Sequence, residues 1–262
     1  MPSSKLFSRT QRIVGEAVME RLSAVRVILF GVGGVGSWTA ECLVRTGVRH
    51  LTIVDPDIVQ ATNINRQLMA TSQNIGHSKV EELRQRLHSI HPQAEIEAIS
   101  EAFSPENAER FRLDTYDYII DAIDSLTDKV ALILQATHTS ATVLSSMGAA
   151  LKLDPTRVHV AEFWKVQGCP LAAALRRRFR KLHTFPEKKF RCVYSDELLP
   201  NLGHGYTSEP LRSDTAEAEA PVDRNLRKAQ INGSLAHITG IFGLTLAGLL
   251  VQDLYNTSTA DR

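Results

Sequence analysis

The stretch Val25-Arg26-Val27-Ile28-Leu29-Phe30-Gly31-Val32-Gly33-Gly34-Val35-Gly36 decides the fold. Its first half is an apolar run of strand length, and its second half is a glycine-rich turn opening a helical pattern that runs through Leu43. A strand that stops at such a turn and feeds a helix leaves backbone N–H groups and the positive end of the helix dipole facing one point, where a phosphate fits. A second β-like run, Leu51 to Val54, ends in Asp55, about twenty residues past the glycines, where an acidic side chain can accept hydrogen bonds from a ribose. The unit reads as a nucleotide site. The spacing alone does not choose the nucleotide, because it also satisfies the dinucleotide fingerprint of dehydrogenases.

Upstream, Ile13, Val14, Ala17, Val18 and Leu22 predict one amphipathic helix over Thr10–Leu22, with Arg9 just before it; spacing alone reads Arg9 as an ordinary solvated charge. Downstream, the polar stretch Pro56 to Gln67 carries Asp57, Asn63, Arg66 and Gln67 beyond the strand's carboxyl end, where an open α/β sheet places its ligand contacts. A helix follows over His77–His91 with Lys79 in its first turn, a position that opposes the helix dipole by roughly a few tenths of a kcal/mol unless an anion lies nearby. A third strand at Glu95–Ile99, a short helix after Ser104-Pro105 and a buried strand Tyr116–Asp121 come next. That strand ends Asp121-Ala122-Ile123-Asp124-Ser125, and helix Thr127–Ser140, strand Thr142–Ser146 and the turn Met147-Gly148 follow it. Strands alternating with helices predict an α/β, Rossmann-like fold, a mostly parallel twisted sheet with helices on both faces. Two acids, Asp121 and Asp124, at the end of a central strand beside a glycine loop suit a divalent cation that accompanies phosphates; capping of the next helix by Asp124 or Ser125 is the competing reading.

Past Lys152 the pattern changes. Arg157–Glu162 predicts one more strand, an antiparallel extension of the sheet. Arg176, Arg177, Arg178, Arg180 and Lys181 then cluster, with Lys188, Lys189 and Arg191 close behind and Phe185 and Phe190 between them. The chain as a whole is balanced, with 30 Lys and Arg against 29 Asp and Glu, so this positive patch is local. Basic residues interleaved with aromatics suit a phosphodiester backbone and unstacked bases. Val193–Arg224 reads as a long loop, and Ile231–Leu254 as a C-terminal apolar helix. No Lys, Arg, Asp or Glu occurs between Lys228 and Asp253, and the apolar core Ala236–Val251 leaves two placements open. It either packs in the core or against a second copy, which its Thr and His residues favour, or contacts a membrane. The three cysteines form no Cys-x-x-Cys pair, and Met1–Gln11 lacks an apolar signal core, so a cytoplasmic location is expected, with membrane association through 236–251 as the alternative. At 262 residues and 43% apolar, a single domain over 1–262 is expected, with a nucleotide-binding core in 1–150 and a substrate- or dimer-facing part in 151–262.

With Arg9, the Gly31–Gly36 loop, Asp55, Asn63, Arg66-Gln67, Lys79 and Asp124 in this order, the chain resembles the ubiquitin-activating superfamily of adenylating enzymes, the ThiF/MoeB-like group. The likeness runs from about Phe7 to Gly148, and each piece is weak where the combination is specific. Within the superfamily the sequence looks most like the tRNA threonylcarbamoyladenosine dehydratases. Ser125 stands where carrier-protein activators often have asparagine, their two zinc-binding Cys-x-x-Cys pairs are missing, and the arginine-rich stretch offers a surface for tRNA.

The resemblance implies ATP over Gly31, Gly33, Gly34 and Gly36, with Asp55 on its ribose and Arg66 and Lys79 on its phosphates. Asp57, Asn63 and Gln67 are implied to line the same site, Asp124 to hold Mg2+, and Arg9 to reach a neighbour's phosphates across a homodimer. It implies tRNA contacts from Arg176, Arg177, Arg178, Arg180, Lys181, Lys188 and Lys189. Sulfur-transfer proteins as partners, and a monovalent cation, are further expectations. A catalytic role for Cys169 or Cys192 is not expected. Two other functions remain open: adenylation of the C-terminus of a ubiquitin-like or sulfur-carrier protein, and a non-catalytic nucleotide- and RNA-binding or membrane-anchored scaffold.

Overall fold

A computed structural model describes residues 3–202 and 232–260. From residue 203 on, the loop expected over Val193–Arg224 lies outside the described residues, as does Ile231. The chain order is α1 (Ser3–Leu6), α2 (Ser8–Val14), α3 (Glu16–Ala24), β1 (Arg26–Phe30), α4 (Gly36–Thr46), β2 (His50–Val54), α5 (Lys79–Ile90) and β3 (Glu95–Ile99). Then come β4 (Tyr118–Asp121), α6 (Leu126–His138), β5 (Thr142–Ser146), β6 (Val158–Glu162), α7 (Pro170–Leu182), β7 (Arg191–Ser195) and α8 (Ala236–Ala260).

Among the described residues, all seven strands join one sheet in the order β3-β2-β1-β4-β5-β7-β6. Every pairing is parallel except β6 with β7, so the extension expected at Arg157–Glu162 is antiparallel. Period-2 alternation along each strand divides the core in two. Val27 and Leu29 of β1, with Leu51 and Ile53 of β2, face α3, α4, α5 and α8. Ile28, Phe30, Val54 and Ile119 face α6, α7 and the short helical turn Pro105–Phe111.

Three expectations are corrected. The helix expected over Thr10–Leu22 is two, because Gly15 sits at φ +81° and ends α2 before α3 begins. The fourth strand starts at Tyr118 rather than Tyr116, whose hydroxyl instead meets Thr52 Oγ1 at 2.9 Å. Val193–Ser195, read as the start of a loop, belongs to a strand, Arg191–Ser195, inserted between β5 and β6.

The C-terminal helix is long and apolar enough to cross a membrane by length and composition, yet 56% of that apolar window is buried. Ile238, Phe242, Leu246, Ala247 and Leu250 are fully buried in the core shared with α4. The helices approach so closely that a Cβ on Gly243 would lie 2.4 Å from Val35 O, and Thr39 Oγ1 donates to Gly243 O at 3.2 Å.

Candidate active site

The strand order reverses at β1, which pairs with β2 on one side and β4 on the other. Phe30 is in register with both Val54 and Asp121, so three loops leave the sheet side by side: Gly31–Val35, Asp55–Gln67 and Ala122–Ser125. A crevice at the carboxyl ends of strands, at such a switch point, is where open α/β sheets bind ligands.

Gly31 and Gly36 are required by shape. Gly31 has φ +85°, and a Cβ there would lie 2.7 Å from Ala122 O; a Cβ on Gly36 would lie 1.8 Å from Gly31 O. Gly33 differs, since a Cβ there would meet only Gln67 Nε2 at 3.8 Å. The loop is thus closed beneath and open above, at the mouth of α4, where Ser37 N donates to Gly33 O at 3.1 Å. Ser37 Oγ donates to Gly33 O at 2.7 Å and accepts from Leu68 N at 3.2 Å, which fastens the loop to the chain beyond Gln67.

Asp55 is buried, and its two carboxylate oxygens accept from Val32 N at 2.8 Å and Asp57 N at 2.9 Å. Burial pushes its carboxyl up from the ordinary aspartate value, while the Lys79 charge pulls the other way. Lys79 is buried at the start of α5 and pairs with Asp57 Oδ2 at 2.9 Å. The anion that offsets its unfavourable place at a helix N-terminus is therefore Asp57 of its own chain.

Asn63 is buried, and its Oδ1 accepts from Gln60 N at 3.0 Å, closing the short turn Ala61–Asn63. Gln67 is buried beside Gly33, and its Oε1 has no hydrogen-bond partner among the described residues. Arg66 lies against Gly34, its Cγ 3.2 Å from where a Cβ would stand, and its Nη1 donates to Thr62 O and Asn65 Oδ1 at 2.8 and 2.9 Å. Burial lowers the basicity of its guanidinium, and the charge of nearby Asp124 opposes that shift. Asp124 itself is exposed, on the loop between β4 and α6.

The structure brings together the glycine loop, Asp55, Asp57, Asn63, Arg66, Gln67, Lys79 and Asp124. It does not bring Arg9 to them. Phe7, two residues before Arg9, stacks edge-on against His91 at 5.0 Å and lies 3.8 Å from a Cβ on Gly47, at the far ends of α5 and α4. The length of α4, roughly 16 Å by helix rise, separates that point from Gly36. The acid Asp121, read as a second cation ligand, is instead fully buried against Lys129 Nζ at 2.7 Å and accepts from Ser145 Oγ at 2.7 Å. Sequence reasoning missed Lys129 and Ser145. The signal was there for Lys129, which falls on the same helical stripe as Leu132, Ile133 and Ala136.

The basic segment divides. Arg176 Nη1 donates to Phe163 O and Val166 O, and Lys188 Nζ donates to Thr139 O and Ala141 O, so both tie their own backbone together. Arg178 is half-buried, while Arg177, Arg180, Lys181 and Lys189 are exposed. Trp164 and Phe185 lie beside this helix, 40% and 48% exposed and 6.2 Å apart. Cys169 and Cys192 are buried, and burial raises the Cys192 thiol well above the ordinary value, away from a reactive thiolate.

The sequence profile of the ThiF family matches residues 7–260. The chain belongs to the ThiF family. This ThiF-family chain is 34% identical over 249 residues to the tRNA threonylcarbamoyladenosine dehydratase of Bacillus subtilis (strain 168), a match covering 95% of the chain and 94% of that protein. Its fold is similar to crystal structures of the E. coli tRNA N6-threonylcarbamoyladenosine dehydratase TcdA. The complex with AMP gives a TM-score of 0.82 at 28% identity, covering 98% of this chain and 96% of the other. The complex with ATP gives 0.81 at 27%, covering 99% and 97%.

Proposed function

We propose that this ThiF-family protein uses ATP to dehydrate threonylcarbamoyladenosine in tRNA. The observation that carries this reading is the crevice at the β1 switch point. Shape-required glycines, the orphaned Gln67 Oε1 acceptor, Asp55, Arg66 and Lys79 converge there within a chain similar over 95% of its length to a dehydratase of this kind.

ATP occupies the open mouth above Gly33, its phosphates on the N-terminal N–H groups of α4. Asp55 retains acceptor capacity beyond its two backbone donors and takes the ribose hydroxyls. Lys79 and Arg66 neutralise the triphosphate. The donor chemistry fits Mg2+, which binds proteins through one or two carboxylates and completes its shell with phosphates and water; Asp124 is the exposed carboxylate here. When bound, that ion screens charge on the phosphate oxygens.

The substrate carboxylate attacks the α-phosphorus, forming an acyl adenylate and releasing pyrophosphate. Both reactants are anionic, so the cations around the crevice lower the repulsion and the charge that develops at phosphorus. A nitrogen or oxygen of the same modification then displaces AMP. Ring closure within one molecule needs no protein nucleophile, in keeping with the burial of Cys169 and Cys192. The nucleoside loses one water, and ATP becomes AMP and pyrophosphate.

Because Arg9 stands at the far end of α4 from its own crevice, it serves the phosphates only from a second copy, which makes the working unit a homodimer. The exposed Arg177, Arg180, Lys181 and Lys189, with Trp164 and Phe185, form the face offered to the tRNA. Release of AMP that requires tRNA carrying the modification, and is lost in Asp124→Ala, tests the reading. Pyrophosphate exchange that instead requires a protein ending in Gly-Gly would favour a carrier-protein activator. Neither activity, with RNA binding indifferent to Asp124→Ala, would favour a scaffold.

A further inference from the structure

Asp124 follows two residues held by one buried ammonium and precedes the N-cap of α6. Lys129 is fully buried. Its Nζ contacts Asp121 Oδ2 at 2.7 Å and donates to Ile123 O at 3.0 Å, and its backbone N donates to Ser125 O at 3.0 Å. The Lys129 side chain thus holds residues 121 and 123, the first backbone bond of α6 holds 125, and 124 lies between these anchors. Asp121 completes the clamp, since its Oδ1 accepts from Ile123 N at 3.1 Å and its Oδ2 accepts from Ser145 Oγ on β5 at 2.7 Å. On the opposite side of the loop, the carbonyl of Ala122 lies against Gly31.

A buried ion pair is a poor source of stability, because removing two charges from water consumes most of what their attraction returns. Replacing such a pair by neutral groups of similar size is often tolerated by the fold. Its presence beneath this loop calls for another explanation.

We propose that Lys129 is a positioning residue: with Asp121 and Ser145 it fixes the direction in which Asp124 presents its carboxylate to a divalent cation on the ATP phosphates. The inference rests on the cation-binding reading of Asp124. Partners that orient a metal ligand without touching the metal commonly alter metal affinity by about 10- to 100-fold when removed. Asp55 and the α4 N-terminus, by contrast, lie outside the clamp and hold ATP independently of it.

The test is calorimetric titration of ATP into the protein with Mg2+ present and with Mg2+ chelated, comparing wild type, Asp124→Asn, Ser145→Ala and the double variant Lys129→Met with Asp121→Asn. The double variant removes both charges together, so no lone buried charge opposes folding. In it, metal-free ATP affinity is expected to stay at the wild-type value while the Mg2+ concentration needed for the metal-dependent gain rises about 10- to 100-fold. Ser145→Ala removes one hydrogen bond and shifts the same quantity in the same direction by a smaller factor; it decides the matter if the double variant does not fold. Should Asp124→Asn abolish the Mg2+ dependence while the folded double variant, or Ser145→Ala in its place, keeps it unchanged, the positioning role is wrong and the reading of Asp124 stands. Should Asp124→Asn itself leave the Mg2+ dependence intact, the cation reading of Asp124 fails, and the role of Lys129 with it.

Discussion

Gly31→Ala probes the junction on which the crevice depends. Two separate costs apply. Alanine at φ +85° enters the left-handed region, which costs about 1–2 kcal/mol, and its Cβ would stand 2.7 Å from Ala122 O. Relief of that clash requires the Ala122 backbone to move, but Asp121 and Ile123 on either side are held through Lys129, so an overpacking cost of about 1–3 kcal/mol is added. The total, about 2–5 kcal/mol, corresponds to a fall in Tm of about 4–20 °C at about 2–4 °C per kcal/mol. Gly15→Ala supplies the control: nothing lies within 4 Å of its Cβ, so only a backbone cost applies, about 1–3 kcal/mol at φ +81° and ψ 171°, and Tm falls by about 2–12 °C. In whatever fraction stays folded, Ala122 carries Asp124 away from the glycine loop, and adenylation falls by roughly 100-fold, as expected for a misplacement near 1 Å. Gly15→Ala leaves adenylation unchanged. Differential scanning calorimetry and single-turnover AMP formation read the two effects. Equal Tm shifts for the two variants, with normal adenylation in Gly31→Ala, would refute the claim that the loops are locked together.

Four further outcomes are expected. Arg177→Glu with Arg180→Glu weakens tRNA binding and lowers the salt slope of log affinity by roughly 1 for each phosphate no longer neutralised, measured by filter binding across a salt series. Arg176→Gln instead lowers Tm, because its guanidinium supports Phe163 and Val166, and an unchanged salt slope in the first variant would place the tRNA elsewhere. Asp55 has a raised folded value, chiefly from burial, so its ionised form is lost, as pH falls, sooner than for a free aspartate. The same sign means that the burial cost of the ionised form, present above the raised value, fades as pH falls toward the unfolded one. ATP affinity accordingly begins to drop above the usual aspartate range, and Asp55→Asn flattens that limb; an acid limb unchanged in Asp55→Asn assigns it to another group. Mixing Arg9→Ala with Asp124→Ala protein restores activity through hybrid dimers, and no recovery after subunit exchange would mean that Arg9 does not act in trans.

The local units were legible because each carries its own period or punctuation. The apolar run Val25–Phe30, the glycines after it and Asp55 all lie within one βαβ unit, and β1 and β2 form close to where the sequence places them. Arg191–Ser195 escaped because its apolar content is short and its strand character comes from pairing with β5 and β6, segments remote in sequence. In the site, residue types were legible and partnerships were not. Lys79 finds Asp57 across 22 positions, and nothing in the local pattern around either residue marks the pairing. Asp121 was grouped with Asp124 because both end the same strand, whereas the sheet turns one into the core beside Lys129 and leaves the other in the crevice. The basic run gave its charge but not its orientation, which α7 decides by turning Arg176 inward and Arg177 and Arg180 outward.

The central claim is that the crevice makes a substrate carboxylate attack ATP so that the nucleoside closes on itself. Purified protein, ATP and tRNA carrying threonylcarbamoyladenosine are incubated together, and the digested nucleosides are weighed by mass spectrometry. Conversion of the modified nucleoside to a species lighter by one water, with AMP formed in equal amount, is the result this account predicts. An unaltered nucleoside beside a protein shown by ATP titration to be folded and loaded would contradict it.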